Sequence, residues 1–432
     1  MRLFFCLLLG LLCYTKGLVA QVAQPGAELP AWKEGYLDLH HVNTGRGSAA
    51  FYVLPDGTTI LLDAGEMDIH DGRVFTPRNS VIVPNDSKKP YEWIASYIKR
   101  FHPKSKPVLD YALITHFHDD HFGAWYPEMP LHKKGGFGLT GITGVASLIP
   151  VKMLLDRGYP DYNYPVAKNR WLEQVGKNDT PYRRTMENYW RFMEFGVKNG
   201  MGAATLKAGS VNQVRLQYNR EAYPQFRVRN LKANGLIWSG QDSLAVDHFP
   251  PAHPQLPATW PDENSMSLAI LIEYGGFRYY TGGDNPGNLF YGNHHWRDVE
   301  TPMARVTGKV DVATLDHHGN RDAVNEFQVK TLQPRVWIGQ SWSADHPGHE
   351  VLVRMVSPYL YNGPRDLFAT NMLEANRHVI GPLIDRSYKS QQGHILVRVL
   401  PGGSQYYVII LDDQREEAKV KAVFGPYDSL SK

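Results

Sequence analysis

A cluster of metal-binding side chains follows an apolar segment near residue 115. Residues 115–121 read THFHDDH and contain three imidazoles and two carboxylates. Neutral imidazole and carboxylate oxygen are good ligands for zinc, manganese and iron. A lone histidine is more often a surface or core residue, but four ligand-type residues at this spacing are hard to explain by packing. The sequence therefore predicts a metal centre that includes His116, His118, Asp120 and His121.

The segment before this cluster indicates how its side chains share one site. Residues 108–114 form an apolar run that predicts a largely buried strand, so the cluster begins where a strand ends. His116 and His118 are two residues apart and point the same way in an extended chain. Asp120 and His121 follow on a turn and can face a second position nearby. This geometry predicts two metal ions close together.

Further candidate ligands follow other predicted strands. Residues 267–281 predict a hairpin, and Asp284 comes directly after it. A carboxylate there can bridge two cations, and the alternative is an aspartate that stabilises a turn. His317 and His318 follow a strand predicted over residues 310–315. Because side chains alternate along a strand, we expect one histidine to bind metal and the other to contact substrate or pack, and the sequence leaves open which.

The rest of the chain alternates short strands with helices, while residues 125–215 show a less regular pattern. Three strands with tight turns predict an antiparallel start, at residues 37–42, 49–54 and 58–65. Apolar periodicity and composition predict helices over residues 91–101, 180–199 and 350–355. Further strands are predicted over residues 226–229, 235–238 and 334–341, with two or three more between 393 and 424.

Composition predicts an exported globular protein. Of the 432 residues, 43% are hydrophobic and 21% charged, which is typical of a soluble domain. Residues 1–20 have a basic start, an apolar run too short for a comfortable membrane span and a small-residue end, as in a secretory signal peptide. We therefore expect a secreted or periplasmic protein, with a loosely held lead-in over residues 21–35 and one domain over residues 36–432.

Removal of the predicted signal peptide changes the charge and the cysteine content. It removes Arg2 and Lys16 and no acid, which lowers the formal net charge from +3 by two, to +1. A near-neutral surface gives no reason to expect a stable nucleic-acid partner. It also removes Cys6 and Cys13, the two cysteines of the chain, so metal ligands must come from histidine, carboxylate, amide or water. The sequence does not reveal an oligomeric state.

The ligand pattern carries a resemblance to a known family. His116, His118, Asp120 and His121 match the signature of the metallo-β-lactamase superfamily. Within it, the chain resembles the hydrolase domain of the competence protein ComEC and its soluble relatives, through the order of segments at residues 43–48, 55–57, 61–65, 264–267, 283–284, 317–319 and 346–347. The resemblance covers roughly residues 37–65, 90–125 and 262–355. It leaves an unmatched insertion around residues 125–240, and it does not imply DNA uptake.

The resemblance implies a fold and a set of ligands. The fold is an α/β (α+β) four-layer αββα sandwich with two divalent metal ions at one edge, zinc first, with manganese or iron as alternatives. Asp284 would bridge both ions, and one of His317 and His318 would complete the second ion's shell. Where many relatives carry a histidine before the hairpin, this chain has DENSMS at residues 262–267. An oxygen of Glu263 or Asn264 is expected there instead, and the nearby alternatives are His248 and His253.

The resemblance also implies a chemistry. Relatives with this histidine-histidine-glycine variant act on phosphodiesters, so we expect a small-molecule or phosphodiester substrate attacked by a metal-bridging hydroxide. Asp120 would hold one ion and orient the hydroxide. His346, with Asn320 and Ser341 as weaker candidates, would steady an oxygen of the substrate, and Asp63 would support the metal loop by hydrogen bonds. The alternatives are a lactonase or β-lactamase and a binding protein of the same fold with little activity.

Overall fold

The computed structural model describes residues 22–430, apart from residues 69–71, 73, 75, 176, 178–179 and 289–293. The predicted signal peptide and both cysteines lie outside the described residues. Among the helices that are described, none is both long enough and apolar enough to span a bilayer.

The first sheet joins strands from both ends of the chain. Its nine strands are β1 (Leu37–His41), β2 (Ala49–Val53), β3 (Thr59–Ala64), β4 (Leu109–Leu113), β5 (Val151–Asp156), β6 (Gly202–Thr205), β16 (His394–Val399), β17 (Gln405–Leu411) and β18 (Val420–Asp428). They lie in the order β18-β17-β16-β1-β2-β3-β4-β5-β6. The strands from β18 to β3 pair antiparallel, which confirms the predicted antiparallel start, and β3 to β6 pair parallel.

The second sheet is formed by the strands between these two groups. They are β7 (Phe226–Ala233), β8 (Leu236–Trp238), β9 (Ala245–Asp247), β10 (Ala269–Tyr274), β11 (Phe277–Thr281), β12 (Val312–Thr314), β13 (Val336–Gly339), β14 (Asp366–Ala369) and β15 (Tyr388–Ser390). Their order is β15-β14-β13-β12-β11-β10-β7-β8-β9. The predicted hairpin is confirmed as the antiparallel pair β10–β11, and β11 to β15 are parallel.

The described residues form helices between the parallel strands, as the crossover connections require. They are α1 (Pro90–Phe101), α2 (Asp119–Phe122), α3 (Gly141–Leu148), α4 (Lys168–Val175), α5 (Thr180–Lys198), α6 (Glu300–Thr307), α7 (Glu326–Leu332), α8 (His349–Val356), α9 (Glu374–Ile380) and α10 (Pro382–Ser387). The helices predicted over residues 91–101, 180–199 and 350–355 are confirmed as α1, α5 and α8.

Helix α1 shows how local sequence defines an element. Pro90 occupies its first turn, where a missing N–H costs no hydrogen bond. The Glu92 carboxylate accepts a 2.8 Å hydrogen bond from the backbone N–H of Lys89, which caps the helix. Ile94 and Ile98 are four residues apart and both fully buried, so the apolar face of α1 packs on the first sheet.

Three hydrophobic cores stack the elements into four layers. The outer face of the first sheet packs on α1, α3 and α5. The two sheets share a central core, in which the Tyr52 hydroxyl lies 2.8 Å from that of Tyr279. The outer face of the second sheet packs on α6, α7 and α8. Both sheets are therefore buried on both faces, as near-continuous apolar strands require, and the αββα order expected from the sequence is present.

The chain near its amino terminus is held more firmly than the sequence predicts. Val22 and Ala23 are buried in the first core. The Gly26 N–H donates to the Val420 carbonyl, and the Val420 N–H donates to the Ala27 carbonyl. The expectation of a loosely held lead-in is wrong, because these residues pair with β18.

The parallel strands bring their carboxyl ends to one edge of the sandwich. Strands β3 and β4 end there in the first sheet, and β11, β12 and β13 end there in the second. In open α/β sheets, ligands bind outside the carboxyl ends of the strands. The residues that follow these strands include nearly all of the predicted site.

Candidate metal centre

Four buried side chains from both sheets converge at this edge. We call these four residues the closed group: Asp120, His121, Asp284 and His318. Their ligand atoms all lie within 4.8 Å of one another. The Asp120 carboxylate lies 3.0 Å from His318 Nε2, and the Asp284 carboxylate lies 3.0 Å from His121 Nε2. All four are at least nine-tenths buried.

The spacing of the closed group fits a metal ion. Ligands at the usual zinc distances in a tetrahedral site are about 3.3 Å apart. His121 Nε2 lies 3.3 Å from His318 Nε2 and 3.6 Å from the Asp120 carboxylate. The Asp284 carboxylate lies 3.6 Å from His318 Nε2. These separations are close to that value, and the closed group could hold a metal ion.

A second set of candidate ligands lies beside Asp284. We call His116, His118, Asn264 and His317 the open group. His116 Nε2 lies 3.1 Å from His118 Nδ1, as expected for side chains two residues apart in extended chain. His317 Nε2 lies 3.2 Å from the Asn264 amide nitrogen. The Asp284 carboxylate lies 3.8 Å from His116 Nε2 and 3.8 Å from His317 Nε2, so it contacts both groups.

The two adjacent histidines differ from the sequence expectation. Strand alternation predicts opposite directions for His317 and His318, yet both imidazoles face the site. The strand β12 ends before them, and both lie in a turn with left-handed backbone, at φ 46° and 54°. Alternation therefore does not apply here. His318 joins the closed group and His317 the open group.

Asp63 supports the loop that carries the first histidines. Its carboxylate accepts 2.7 Å hydrogen bonds from the Thr115 N–H and the Thr115 hydroxyl. It also lies 2.8 Å from His121 Nδ1. A carboxylate on the second ring nitrogen fixes the orientation of a ligating histidine and presents its other nitrogen to the metal. The supporting role predicted for Asp63 therefore has the contacts it requires.

The electrostatics of the closed group favour a cation. Burial opposes ionisation of Asp284, but His121 and His318 hold the pKa of its carboxyl well below the usual range. Burial also opposes protonation of His121, but Asp284, Asp120 and Asp63 hold its pKa well above the ordinary value. In the open group, burial and the nearby His121 lower the pKa of His116. A divalent ion would supply the positive charge that protonated histidines provide beside these carboxylates.

Trp342 contacts the closed group, which the sequence did not predict. Its indole N–H donates to the Asp120 carboxylate at 3.1 Å and lies 3.3 Å from His318 Nε2. The backbone carbonyl of Gln340 lies 2.8 Å from His318 Nδ1. Both residues follow β13, which ends at the same sheet edge as the histidines. That position was the only signal in the sequence, because neither tryptophan nor a backbone carbonyl belongs to a ligand motif.

His346 lies beside the closed group. Its ring stacks on His318 with centroids 4.6 Å apart. Burial, His318 and His317 lower its pKa well below the ordinary value, so its imidazole is neutral near pH 7. It lines the cavity over the metal centre together with Asn320. Ser341 is buried behind that cavity, and its N–H donates to the Thr370 hydroxyl.

Glu263 and Asn264 are two candidates for the ligand position that many relatives fill with a histidine, and their oxygens differ in hydrogen bonding. Both oxygens of Glu263 accept hydrogen bonds from Arg157, at 2.7 and 2.6 Å, and one also accepts the Phe117 N–H. This carboxylate is therefore occupied by an ion pair. The Asn264 carbonyl oxygen is buried without a hydrogen-bond partner, so it is the oxygen free to bind a cation.

The other two alternatives are engaged elsewhere. His248 Nε2 lies 2.9 Å from the Asp298 carbonyl, and His253 Nδ1 accepts the Gln255 N–H. The turn that carries Asn264 is instead held by Lys232, whose ammonium donates to the carbonyls of Ser265 and Ser267 at 2.6 and 3.0 Å.

Comparison with known proteins does not assign the chain to a family. No family model matches the chain, and no curated protein matches it either. The functional argument therefore depends on the residues of the site.

Proposed function

We propose that this protein is an exported metal-dependent hydrolase of the metallo-β-lactamase superfamily that acts on phosphodiesters. The observation that carries the proposal is the closed group, a buried set of histidines and carboxylates at the carboxyl ends of strands from both sheets. The ligand pattern at residues 115–121 supports the superfamily, and the composition of residues 1–20 supports export.

We propose two divalent ions, with zinc as the first candidate. The closed group would hold one. His116, His118 and the free oxygen of Asn264 would hold the other, with Asp284 between the two. His317 is a further ligand candidate for this second ion, since its Nδ1 lies 2.7 Å from Asp322, which directs Nε2 into the site. Imidazole and oxygen ligands without thiolate suit zinc, manganese or iron.

Bound divalent ions supply an activated water and neutralise the charge that develops in hydrolysis. The chain's own residues bind and orient the substrate. The Trp342 N–H holds one carboxylate oxygen of Asp120, which fixes the direction in which that carboxylate faces the cavity. Burial lowers the pKa of His346, and its Nδ1 accepts a 3.5 Å hydrogen bond from the backbone N–H of Trp342. Its other nitrogen can therefore carry a proton and donate to a substrate oxygen.

With divalent ions bound beside its carboxylates, the cavity would favour an anionic substrate over a neutral lactone or lactam. It has a volume of about 430 Å³, and its rim includes Arg78, Asn79 and Asn320. The Arg78 guanidinium is largely exposed and lies 3.4 Å from Asp345. A guanidinium recognises phosphoryl oxygens well because its donors match their geometry. This placement supports phosphodiesters as the substrate class.

The test is hydrolysis of bis(p-nitrophenyl) phosphate by the mature protein, first stripped of metal and then reconstituted with zinc or manganese. We expect turnover that is lost on stripping and restored by metal. The control is Asp161→Ala, which removes an exposed carboxylate away from the site and should leave the rate unchanged. Stoichiometric metal binding without turnover, combined with hydrolysis of a lactone or β-lactam, would contradict the phosphodiester assignment.

A further inference from the structure

A pocket beside the metal centre is not used by the proposed hydrolysis. We define the aromatic pocket by Phe117, Phe122, Trp125 and Tyr182, which line it together with His118 and Asp119. We propose that this pocket binds an uncharged aromatic group attached to the substrate's phosphoryl centre. The inference rests on the proposed function and names the substrate class within it.

The aromatic pocket adjoins the cavity over the metal centre. His118 and Asp119 line both this pocket and the cavity that contains the closed group. His118 belongs to the open group, so a phosphoryl group at the metal centre would lie next to the pocket entrance. A substituent on the phosphorus can enter the pocket while its phosphoryl oxygens stay at the ligands.

The walls of the pocket are held in place before any ligand binds. The rings of Phe117 and Phe122 are buried, with centroids 5.5 Å apart. The Tyr182 hydroxyl accepts a 3.1 Å hydrogen bond from the Trp171 indole N–H. The backbone N–H of Trp125 donates to the Thr185 hydroxyl at 2.8 Å. Preformed aromatic walls favour a rigid planar ligand, because little side-chain freedom is lost on binding.

Trp125 has additional support on the outer side. The Arg184 guanidinium lies 4.6 Å from the centroid of its ring, a cation–π contact that holds the indole in one orientation. Trp125 is half-buried. It is therefore the wall residue whose removal should open the pocket with the least damage to the core.

The pocket has room for an aromatic ring. It measures about 300 Å³, about twice the volume of an apolar cavity of about 150 Å³ that binds benzene. A methyl substituent would leave most of this space unfilled and lose contacts with the walls. The pocket therefore discriminates between aryl and small alkyl groups.

The charge of the lining excludes anionic groups. Asp68 and Asp119 contribute carboxyl groups, and none of the described residues that line the pocket is lysine or arginine. A carboxylate or further phosphate on the ring would lie next to these carboxyl groups, which disfavours a second anionic group in a partly buried site. The expected ligand is therefore an uncharged aryl group rather than a charged one.

The test compares three phosphonates that differ only in this group. Methylphosphonate, phenylphosphonate and 4-carboxyphenylphosphonate are titrated calorimetrically into the zinc-loaded protein. We expect phenylphosphonate to bind about tenfold or more tightly than each of the other two, as burial of a ring predicts. Trp125→Ala should reduce the phenyl preference over methyl to less than about threefold and leave the methylphosphonate Kd unchanged.

The control is Tyr359→Ala, which removes an aromatic ring that is 94% exposed and should change none of the three Kd values. If circular dichroism shows that the alanine variant of Trp125 does not fold, Trp125→Leu replaces it. Equal binding of the phenyl and methyl compounds, or a phenyl preference that survives loss of Trp125, overturns the pocket assignment.

The binding experiment separates this inference from the proposed function. Metal-dependent turnover of a phosphodiester without an aryl preference would retain the hydrolase and reject the pocket. A Trp125-dependent aryl preference without turnover would retain the pocket and reject the phosphodiesterase.

Discussion

The closed and open groups share Asp284 yet differ in packing and support. Each member of the closed group is at most 7% exposed. In the open group, His118 is only half-buried and the His317 side chain is 18% exposed. Asp284 lies 3.0 Å from His121 of the closed group but 3.8 Å from both His116 and His317 of the open group. The closed group is the more compact of the two.

Neighbouring residues also orient more ligands in the closed group than in the open group. His121 is held by Asp63, His318 by the Gln340 carbonyl and Asp120 by the Trp342 indole. In the open group, Asp322 orients His317, whereas the Asn264 oxygen has no hydrogen-bond partner. Outer contacts orient ligands and increase metal affinity. Because more of its ligands are oriented by outer contacts, we expect the closed group to retain metal more tightly than the open group.

Asp284→Ala should have the largest effect, because this carboxylate contacts both groups. We expect both ions to be lost at micromolar free zinc and metal-dependent turnover to fall by more than about 100-fold, since even outer contacts contribute about 10- to 100-fold. Metal content by mass spectrometry and hydrolysis rates measure this. Asp161→Ala is the matched control. Retention of both ions would show that Asp284 is only a turn residue.

His318→Ala and His317→Ala should separate the two groups. We expect the loss of His318 to remove the tightly held ion and the loss of His317 to weaken only the loosely held one, with an affinity difference of about tenfold or more between the variants. Zinc titration with a competing chelator gives both affinities. Equal losses in the two variants would mean that the groups do not bind independently.

Asp63→Asn tests the support of the closed group without removing a ligand. The amide is the same size as the carboxylate but carries no charge to orient His121, so we expect the tight affinity to fall by about 10- to 100-fold. The affinity for the loosely held ion should change less. Some change is expected, because Thr115, which precedes His116, also contacts Asp63. An unchanged tight affinity, measured by the same chelator competition, would remove Asp63 from the site.

Asn264→Ala should weaken only the loosely held ion, by less than about tenfold, because it removes one neutral ligand from a site with other donors. Chelator competition measures the effect. The tight affinity serves as the internal control, since Asn264 lies outside the closed group. Weakening of the tight ion instead would contradict the assignment of this amide to the open group.

Glu263→Gln should have the smallest effect on metal binding and a large effect on stability. Its carboxylate pairs with the buried Arg157, and breaking a buried ion pair costs about 3–5 kcal/mol. We expect the free energy of unfolding in urea to fall by about this amount while both ions are retained. A stable variant that loses the loose ion would make Glu263, rather than Asn264, the oxygen ligand.

Much of the fold was readable because apolar periodicity and turns are local signals. The hairpin β10–β11, the strand β4 before the first histidines and helix α1 all follow from such patterns. Residues 125–215 show a less regular pattern, yet the structure has α3, β5, α4 and β6 there. The short strand β6 is half-buried rather than alternating, so its pairing partner β5 defines it more than its own residues do.

The sequence by itself determined which residue types could bind metal and where the first four would lie. Ligand chemistry and the two-residue spacing of His116 and His118 are local properties, and the structure brings these side chains together as predicted. The closed and open groups were decided only by tertiary structure. The left-handed turn at His317 and His318 lets both face the site, and the Arg157 ion pair occupies Glu263. The ion pair joins residues 106 positions apart, so no local pattern encodes it.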